Sequence, residues 1–321
     1  MKAIHFCFLC FFCLGVILGG CIRPVELDLP ELPRKVVLQG ILSPDKPITV
    51  YLAYHQAISD SARAFPWITN ALVQVYENGQ VKDTLVHFDS GTYVTSTFPR
   101  EGRTYRIEVE VPGEPIVAAE TRLPFSIPLD SATYQFSTRT NSEGVPLMDY
   151  SGYFSDPGQE ANGYQIFFFR QVREQGVWTE FFPGLNNADV IDPAILAEET
   201  GIFPHRFGSS GFLFSDATFN GEEYEVQLSF PTDQDPMTYV PSNQRNWLGL
   251  HHLDPHYFRY QKSLKLHLRN QASNAVFGPG DFDFIELIQI GQPTELYSNV
   301  ENGLGILASF SFSKRTCRFI R

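Results

Sequence analysis

Between residues 35 and 123 the chain consists of short runs in which apolar and polar residues alternate, and turn-forming residues separate the runs. In the clearest run, Tyr105, Ile107 and Val109 alternate with charged residues. Successive side chains of a β-strand point to opposite faces, so such a run has one buried face and one solvated face. The dipeptide Asn78-Gly79 between two further runs is the strongest short signal for a β-hairpin. The pattern therefore predicts antiparallel sheet.

This segment is predicted to contain a series of closely spaced strands. They cover residues 36–41, 48–54, 71–77, 81–88, 92–98, 105–111 and 116–123. Their number and spacing favour an immunoglobulin-like sandwich over residues 35–123. The content of 28 Phe and 14 Tyr agrees, because ring side chains suit a half-buried pleated surface.

A domain boundary is predicted at residues 124–128, where two prolines interrupt the alternation. A larger, mainly-β domain is expected over residues 129–321. Its predicted strands cover residues 131–138, 150–154, 164–172, 177–182, 212–214, 224–230 and 305–312. The nearly continuous apolar run at 164–169 indicates a central strand that is covered on both faces.

Two helices are predicted within this second domain. Asp192-Pro193 and Asp254-Pro255 each place a capping carboxylate before a proline at the first helical position. The first helix is expected to be short and to end at Gly201. The second is expected to cover residues 255–269, with an extended conformation of residues 264–269 as the alternative.

Residues 1–20 have the anatomy of a signal peptide: a cation at Lys2, an apolar run, and Gly19-Gly20 directly before Cys21. We predict a lipoprotein signal peptide, cleavage before Cys21, and lipidation of that cysteine. Several acyl chains together hold a protein on a membrane, whereas one chain binds reversibly. An ordinary signal peptide and an uncleaved membrane helix are the alternatives. Residues 21–34, which carry three prolines and three acids, are predicted to be an extended tether.

Cysteine content and charge limit the mature chain further. The leader removes three cysteines and lipid occupies Cys21, so Cys317 alone would remain and no intramolecular disulfide could form. Cys317 is predicted to be a buried apolar side chain, with a reactive thiol as the alternative. The net charge of −12 becomes −13 when Lys2 leaves, which argues against a nucleic-acid partner.

Several motifs resemble one family. They are the lipobox with its acidic, proline-containing tether, Phe154-Ser155-Asp156-Pro157, Phe214-Ser215-Asp216 followed by Phe219-Asn220-Gly221-Glu222, Tyr257-Phe258-Arg259-Tyr260, and the run from Tyr297 to Gly305. The chain resembles the Bacteroidota lipoproteins classed as domain of unknown function 4249. The resemblance spans the chain, and its most specific part is Tyr-Ser-Asn-Val-Glu-Asn-Gly-Leu-Gly at residues 297–305.

The resemblance implies an outer-membrane lipoprotein, often encoded beside a TonB-dependent receptor, with no established activity. The sequence after Cys21 departs from many surface-exported relatives, because it lacks a tight acidic cluster. The periplasmic and the cell-surface faces of the outer membrane therefore both stay open.

Two groups of residues are candidates for metal binding or catalysis. His251, His252, Asp254 and His256 are ligand types in a short segment, but adjacent histidines on an extended chain point apart, and Asp254 suits the helix cap better. Asp281 and Asp283 would share one face of a strand, where they could act as an acid and base pair or bind Ca2+, or could form a solvated edge beside buried phenylalanines. Motifs of serine, zinc or cysteine hydrolases do not occur.

Aromatic side chains outside the apolar runs are candidates for ligand or protein contacts. Trp67, Trp178, Trp247 and Tyr239 either stack on a partner or close the ends of the sandwiches. Asn299, Glu301 and Asn302 either form an acceptor-rich binding loop or a tight turn.

We therefore expect a lipid-anchored outer-membrane protein that works without catalysis. Its expected role is that of an accessory or ligand-binding subunit of a TonB-dependent uptake system, with no cofactor, no metal and no nucleic acid. A structural or adhesive surface lipoprotein is one alternative. A hydrolase that uses Asp281 and Asp283 is another.

Overall fold

The computed structural model describes residues 33–56, 65–158, 160–174, 177–181, 190–197, 211–272 and 295–320. The fold is mainly β, with two sheets in a sandwich-like arrangement, as the sequence predicts. Residues 34–321 form one compact unit. Within the described ranges, no helix combines the length and the apolar character that crossing a bilayer requires.

All seven strands predicted before residue 124 are present. They are β1 (Val36–Leu42), β2 (Thr49–Tyr54), β3 (Leu72–Glu77), β4 (Gln80–Asp89), β5 (Thr92–Val94), β6 (Thr104–Glu110) and β7 (Val117–Arg122). Asn78 and Gly79 connect β3 to β4 with positive φ angles of 51° and 79°. This is the backbone that the predicted two-residue hairpin requires.

The described residues after β7 add nine strands and two α-helices. The strands are β8 (Ser131–Thr140), β9 (Pro146–Ser155), β10 (Gly163–Glu174), β11 (Val177–Phe181), β12 (Phe212–Ser215), β13 (Glu223–Pro231), β14 (Gln244–Leu253), β15 (Leu304–Thr316) and β16 (Arg318–Phe319). The helices are α1 (Pro193–Ala197) and α2 (Pro255–Ala272).

Both predicted helix caps are confirmed. A side-chain oxygen of Asp192 accepts hydrogen bonds from the amides of Ala194 and Ile195, at 3.0 and 3.2 Å. Asp254 accepts one from the amide of Tyr257 at 2.6 Å. The extended alternative for residues 264–269 is wrong, because these residues lie within α2. The predicted end of the first helix at Gly201 lies outside the described residues.

The strands form one large and one small sheet. The large sheet has the order β11-β10-β14-β15-β1-β2-β5-β4-β3-β6-β7, with β12 also paired to β10. The small sheet has the order β13-β9-β8-β16. The small sheet packs on the β10 and β14 part of the large one through aromatic rings, such as Tyr150 on Phe168 at 4.3 Å between ring centroids. These contacts account for many of the phenylalanines and tyrosines.

Strand β15 connects the two halves of the chain. It pairs in parallel with β1, where Gln39 is opposite Ile306, and antiparallel with β14, where His252 is opposite Ser311. The buried apolar residues nevertheless form two clusters. One lies within residues 36–123 together with Leu307, and the other lies within residues 127–319. The large sheet is therefore continuous across two cores.

The segment with the predicted domain boundary follows β15 closely. Ser309, Ser313 and Arg315, on one face of β15, donate hydrogen bonds to the carbonyls of Arg122, Ile127 and Leu129, at distances between 2.6 and 2.9 Å. The division into domains at residues 35–123 and 129–321 stays a prediction. These hydrogen bonds hold residues 122–129 alongside strand β15.

Candidate functional site

Three predicted site residues cannot be placed in this fold. Cys21, Asp281 and Asp283 lie outside the described residues, and so does the side chain of Trp178. The lipidation site and the acid pair therefore stay predictions. The other candidates all lie in described segments.

His251 and His252 are neighbours on β14 and point to opposite faces. The imidazole of His251 lies between the rings of Phe167 and Phe310, with centroids 4.2 and 4.4 Å away. Burial lowers the pKa of His251 to about 4. An uncharged ring in an aromatic stack is the role that this environment supports.

The other two histidines have oxygen partners. Nδ1 of His252 lies 2.8 Å from the carbonyl of Phe125, and its Nε2 lies 3.0 Å from the side-chain oxygen of Asn162. Nδ1 of His256 lies 2.7 Å from the hydroxyl of Tyr297. In the part of the chain that the structure describes, no three His, Cys, Asp or Glu residues are grouped so that they could hold a metal ion.

Asp254 joins both halves of the chain at a buried position. Its carboxylate caps α2 through the amide of Tyr257 and accepts a hydrogen bond from the hydroxyl of Thr121 on β7. Burial raises the pKa of Asp254 to about 6, although the hydrogen bonds from Thr121 and from backbone amides oppose that rise. Asp254 is therefore a structural helix cap whose burial disfavours the ionised carboxylate.

A second buried acid lies at the end of β9. One oxygen of Asp156 accepts hydrogen bonds from the amides of Gly158 and Gly221, at 3.0 and 2.8 Å. The other accepts from the amide side chain of Asn162, at 3.1 Å, and from the hydroxyl of Tyr164. Four protein donors thus satisfy this carboxylate.

Asp216, at the end of β12, completes this cluster. Its carboxylate accepts a hydrogen bond from the amide of Asn162 at 2.7 Å. Burial raises the pKa of Asp216, and the nearby charge of Asp156 adds to the rise. A Cβ at Gly158 would lie 2.6 Å from the Cα of Gly221, so the two loops touch through their backbones. Both acids belong to Phe-Ser-Asp motifs that are far apart in the sequence, so only the fold pairs them.

The motif at residues 297–305 forms hydrogen bonds to strands in the first half of the large sheet. The side-chain amide of Asn299 donates to the carbonyls of Glu120 and Leu307, at 3.1 and 2.8 Å, and its oxygen accepts from the amide of Leu307. Asn302 adopts a φ of 56° and donates to the carbonyl of Ile116 at 3.1 Å. Both amide side chains bind backbone groups of this chain, which supports the tight turn rather than the binding loop.

Glu301 has equally local partners. Its backbone forms an isolated antiparallel bridge with Ala118 on β7. Its carboxylate receives two hydrogen bonds from the guanidinium of Arg106, at 2.9 and 3.2 Å. The Arg106 guanidinium lowers the pKa of Glu301. The motif at residues 297–305 therefore links β7 to the first strands.

The aromatic candidates differ in exposure. Tyr239 packs on the second core and bonds to the hydroxyl of Tyr134 at 3.1 Å, so it closes the sandwich. Trp247 is half-buried within β14, a strand that sequence reasoning missed. Trp67 is 42% exposed and forms an isolated bridge with Ala53. Cys317 is buried as predicted, and burial raises its thiol pKa to about 12, so the environment does not support a reactive thiolate.

One surface carries apolar side chains that are exposed among the described residues. Strands β1, β2, β5 and β4 bury Leu42, Val50, Tyr93 and Leu85 on one face. The opposite face, here called the outer face, presents Ile41, Thr49, Tyr51, Val86 and Val94. Val86 is paired with Val94, which is paired with Thr49, so these side chains are contiguous.

The outer face also contains a depression of about 310 Å³. Its lining includes Ile41, Lys46, Thr49 and Tyr51. Exposed contiguous apolar surface of this kind marks interaction sites in soluble proteins. The outer face is therefore the candidate functional site, and its side chains can bind a partner molecule.

Comparison with known proteins identifies the family of this chain. The model of the family described as a domain of unknown function, DUF4249, matches residues 22–316. No curated protein matches the chain. Because the match covers nearly all of the sequence, the chain belongs to the DUF4249 family.

Proposed function

We propose that this protein is a lipid-anchored lipoprotein of the outer membrane that works by binding rather than catalysis. Its role is that of an accessory or ligand-binding subunit of a TonB-dependent uptake system. The anchor is Cys21, exposed by removal of a leader with the features of a lipoprotein signal peptide. The uptake setting comes from what resemblance to the family implies.

The observation that carries a binding role is the outer face. Side chains at the core of protein interfaces are depleted in charge and enriched in aromatic residues, and this face presents Tyr51 on β2, the strand between those that carry Ile41 and Val94. Val86 is 69% exposed, although valine is among the residues that are most often buried. A bound partner would remove this surface from water.

The buried polar clusters favour the same conclusion. The carboxylate oxygens of Asp156 and Asp254 accept hydrogen bonds from protein donors, and the ring of His251 lies between two aromatic rings. A catalytic acid or base needs access to a substrate proton. These residues stabilise the fold instead, which supports binding as the function.

Two variants on one strand test the role of the outer face. Val86→Glu places a charge on it, whereas Val81→Glu places the same charge at a 59% exposed site on the same strand, beside the hairpin turn. Membranes from the native host are solubilised in mild detergent, and proteins that co-purify are identified by mass spectrometry. We expect a transporter to co-purify with wild type and Val81→Glu, and its recovery to fall at least about tenfold with Val86→Glu.

Two results would contradict the proposal. Recovery of the wild-type protein alone, under several growth conditions, would argue against an uptake partner. Equal recovery with both variants would argue against the outer face as the binding surface. Equal thermal unfolding temperatures of the two variants control for loss of the fold.

A further inference from the structure

Exposed apolar side chains gather at the end of the first sheet where the tether joins the fold. Phe65, Trp67, Phe88 and Ile116 are all exposed, and Phe88 is 76% exposed. Phe65 and Trp67 lie in the connection from β2 to β3, Phe88 lies near the end of β4, and Ile116 comes just before β7. We call these four residues the tether end.

Pairings within the sheet place Phe65 and Trp67 beside the start of β1. Val36, the first residue of β1, is opposite Tyr54, whose amide donates to the carbonyl of Pro66 at 2.9 Å. Trp67 bridges to Ala53, and its ring lies 4.3 Å from that of Phe65. Both aromatic rings therefore lie where the tether leads into the fold.

Phe88 and Ile116 reach the same end from other strands. Phe88 comes just before the turn that contains Gly91, where a Cβ would approach the Trp67 indole to 2.8 Å. The carbonyl of Ile116 accepts a hydrogen bond from Asn302, and a Cβ at the next residue, Gly303, would lie 2.8 Å from the carbonyl of Val36.

The described residues at this end carry charges of both signs. Among the described residues, this end carries Arg34, Lys35 and His55 together with Asp89, Glu110 and Glu114. The guanidinium of Arg34 lies 3.3 Å from the centre of the Tyr54 ring. These residues therefore do not favour electrostatic attraction of this end to anionic lipid. Its distinctive chemistry is exposed aromatic and aliphatic surface, which suits the boundary between lipid headgroups and acyl chains.

The proposed lipid anchor keeps a bilayer within reach of this end. Residues 22–33 join Cys21 to Arg34, and twelve residues span about 40 Å at most. The opposite end of β1 lies a further strand length away, about 20 Å. We propose that the tether end inserts its four side chains into the interface of the bilayer that holds the lipid anchor. This proposal rests on the lipid anchor proposed above.

Insertion at this end sets the orientation of the protein relative to the membrane. The lipid chains hold one point, and the side chains provide a second, weaker contact that restricts rotation. The outer face then keeps a constant orientation towards a partner in the same membrane. The contact uses apolar insertion, so salt and anionic lipid have little effect on it.

A matched pair of fluorescent variants tests the contact. Phe88→Cys and Val81→Cys lie near opposite ends of β4, and the buried Cys317 leaves the introduced thiol as the reactive site in the described part of the mature chain. Each lipidated full-length variant receives an environment-sensitive thiol probe and is placed on phosphatidylcholine vesicles. Flotation measures anchoring. Probe emission measures contact with the bilayer.

We expect both variants to float, and emission to shift to shorter wavelength by about 20 nm for Phe88→Cys only, as the probe leaves water for the interface. As a second measurement, lipids with brominated acyl chains should quench a protein whose only tryptophan is Trp67, at least about twofold more than one whose only tryptophan is Trp247. Loss of both signals in floating protein would overturn the tether-end contact and leave the anchor intact. Failure to float would overturn the anchor and the contact together.

Discussion

Thr121 on β7 donates a hydrogen bond to the buried carboxylate of Asp254 at the start of α2, and so joins the first half of the chain to the second. The same carboxylate caps the helix through the amide of Tyr257. A single acid therefore serves two elements that are far apart in sequence. Its ionisation is linked to the stability of both.

Replacement of Asp254 by Asn should change how stability depends on pH. The folded-state pKa of about 6 lies above the unfolded value of 3.8, so the folded protein binds a proton more tightly between these values. The free energy of unfolding then falls as pH rises from about 4 to about 6, by about 3 kcal/mol, and is level above that range. Asp254→Asn keeps a capping side chain without this loss.

Urea unfolding of wild type and Asp254→Asn at pH 4 and pH 7 measures this effect. The variant should gain stability relative to wild type between the two pH values. A stability difference that is the same at both values would show that Asp254 does not titrate in this range.

His251 should contribute with the opposite sign. Its folded-state pKa of about 4 lies below the unfolded value of 6.5, so the unfolded chain binds the proton more tightly. Stability is full above pH 6.5 and is lost as pH falls towards 4, by about 3 kcal/mol. His251→Phe, which keeps a ring between Phe167 and Phe310, should remove this acid sensitivity. Unfolding temperatures recorded from pH 4 to pH 7 test it, and an unchanged pH profile would count against the burial of a neutral imidazole.

Gly305→Ala should destabilise the protein strongly. Gly305 has a φ of 112°, and a Cβ there would lie 2.0 Å from the carbonyl oxygen of Leu38. Gly113→Ala is the control, since its φ of 86° is also positive but nothing lies within 4 Å of the added Cβ. We expect a loss of about 1 kcal/mol for the control and more than about 3 kcal/mol for Gly305→Ala. Equal losses in chemical unfolding would mean that strand β1 moves aside easily.

Cys21→Ser should abolish membrane attachment. Lipidation requires the thiol, and the acyl chains supply the membrane affinity at roughly 0.8 kcal/mol per buried methylene. Fractionation of cells that express wild type or Cys21→Ser measures this, with Cys317→Ser as the control because that cysteine is buried in the core. A membrane fraction that is as rich in Cys21→Ser as in wild type would remove the anchor from the proposal.

Local signals predicted the local structure well. The turn at Asn78-Gly79 and the caps at Asp192 and Asp254 depend on residues within a few positions of each other, so a sequence pattern contains all the information they need. The alternation from Tyr105 to Val109 likewise specified which face of β6 is buried. The mainly-β class follows from such elements.

Long-range pairing was the part that the pattern could not supply. Strand β14 escaped detection because it is buried on both faces and contains Gly249 and two histidines, so it does not alternate. Only the fold brings His251 between Phe167 and Phe310, which lie on the two neighbouring strands. The same applies to Asp156 and Asp216, whose Ser-Asp motifs are about sixty residues apart but share Asn162. The outer face was not predicted either, because exposure of an apolar side chain depends on what the rest of the chain leaves uncovered.

The parallel pairing of β1 with β15 has a consequence for the order of events when the chain is made. Strand β1 acquires its neighbour on one side only when residues 304–309, which follow much later in the chain, have been synthesised. Until then β1 presents a row of unpaired amides and carbonyls, which invites pairing with another chain. A polypeptide that is cut short before β15 therefore lacks a neighbour of its first strand, so truncation at the end of the fold also removes pairing at its beginning.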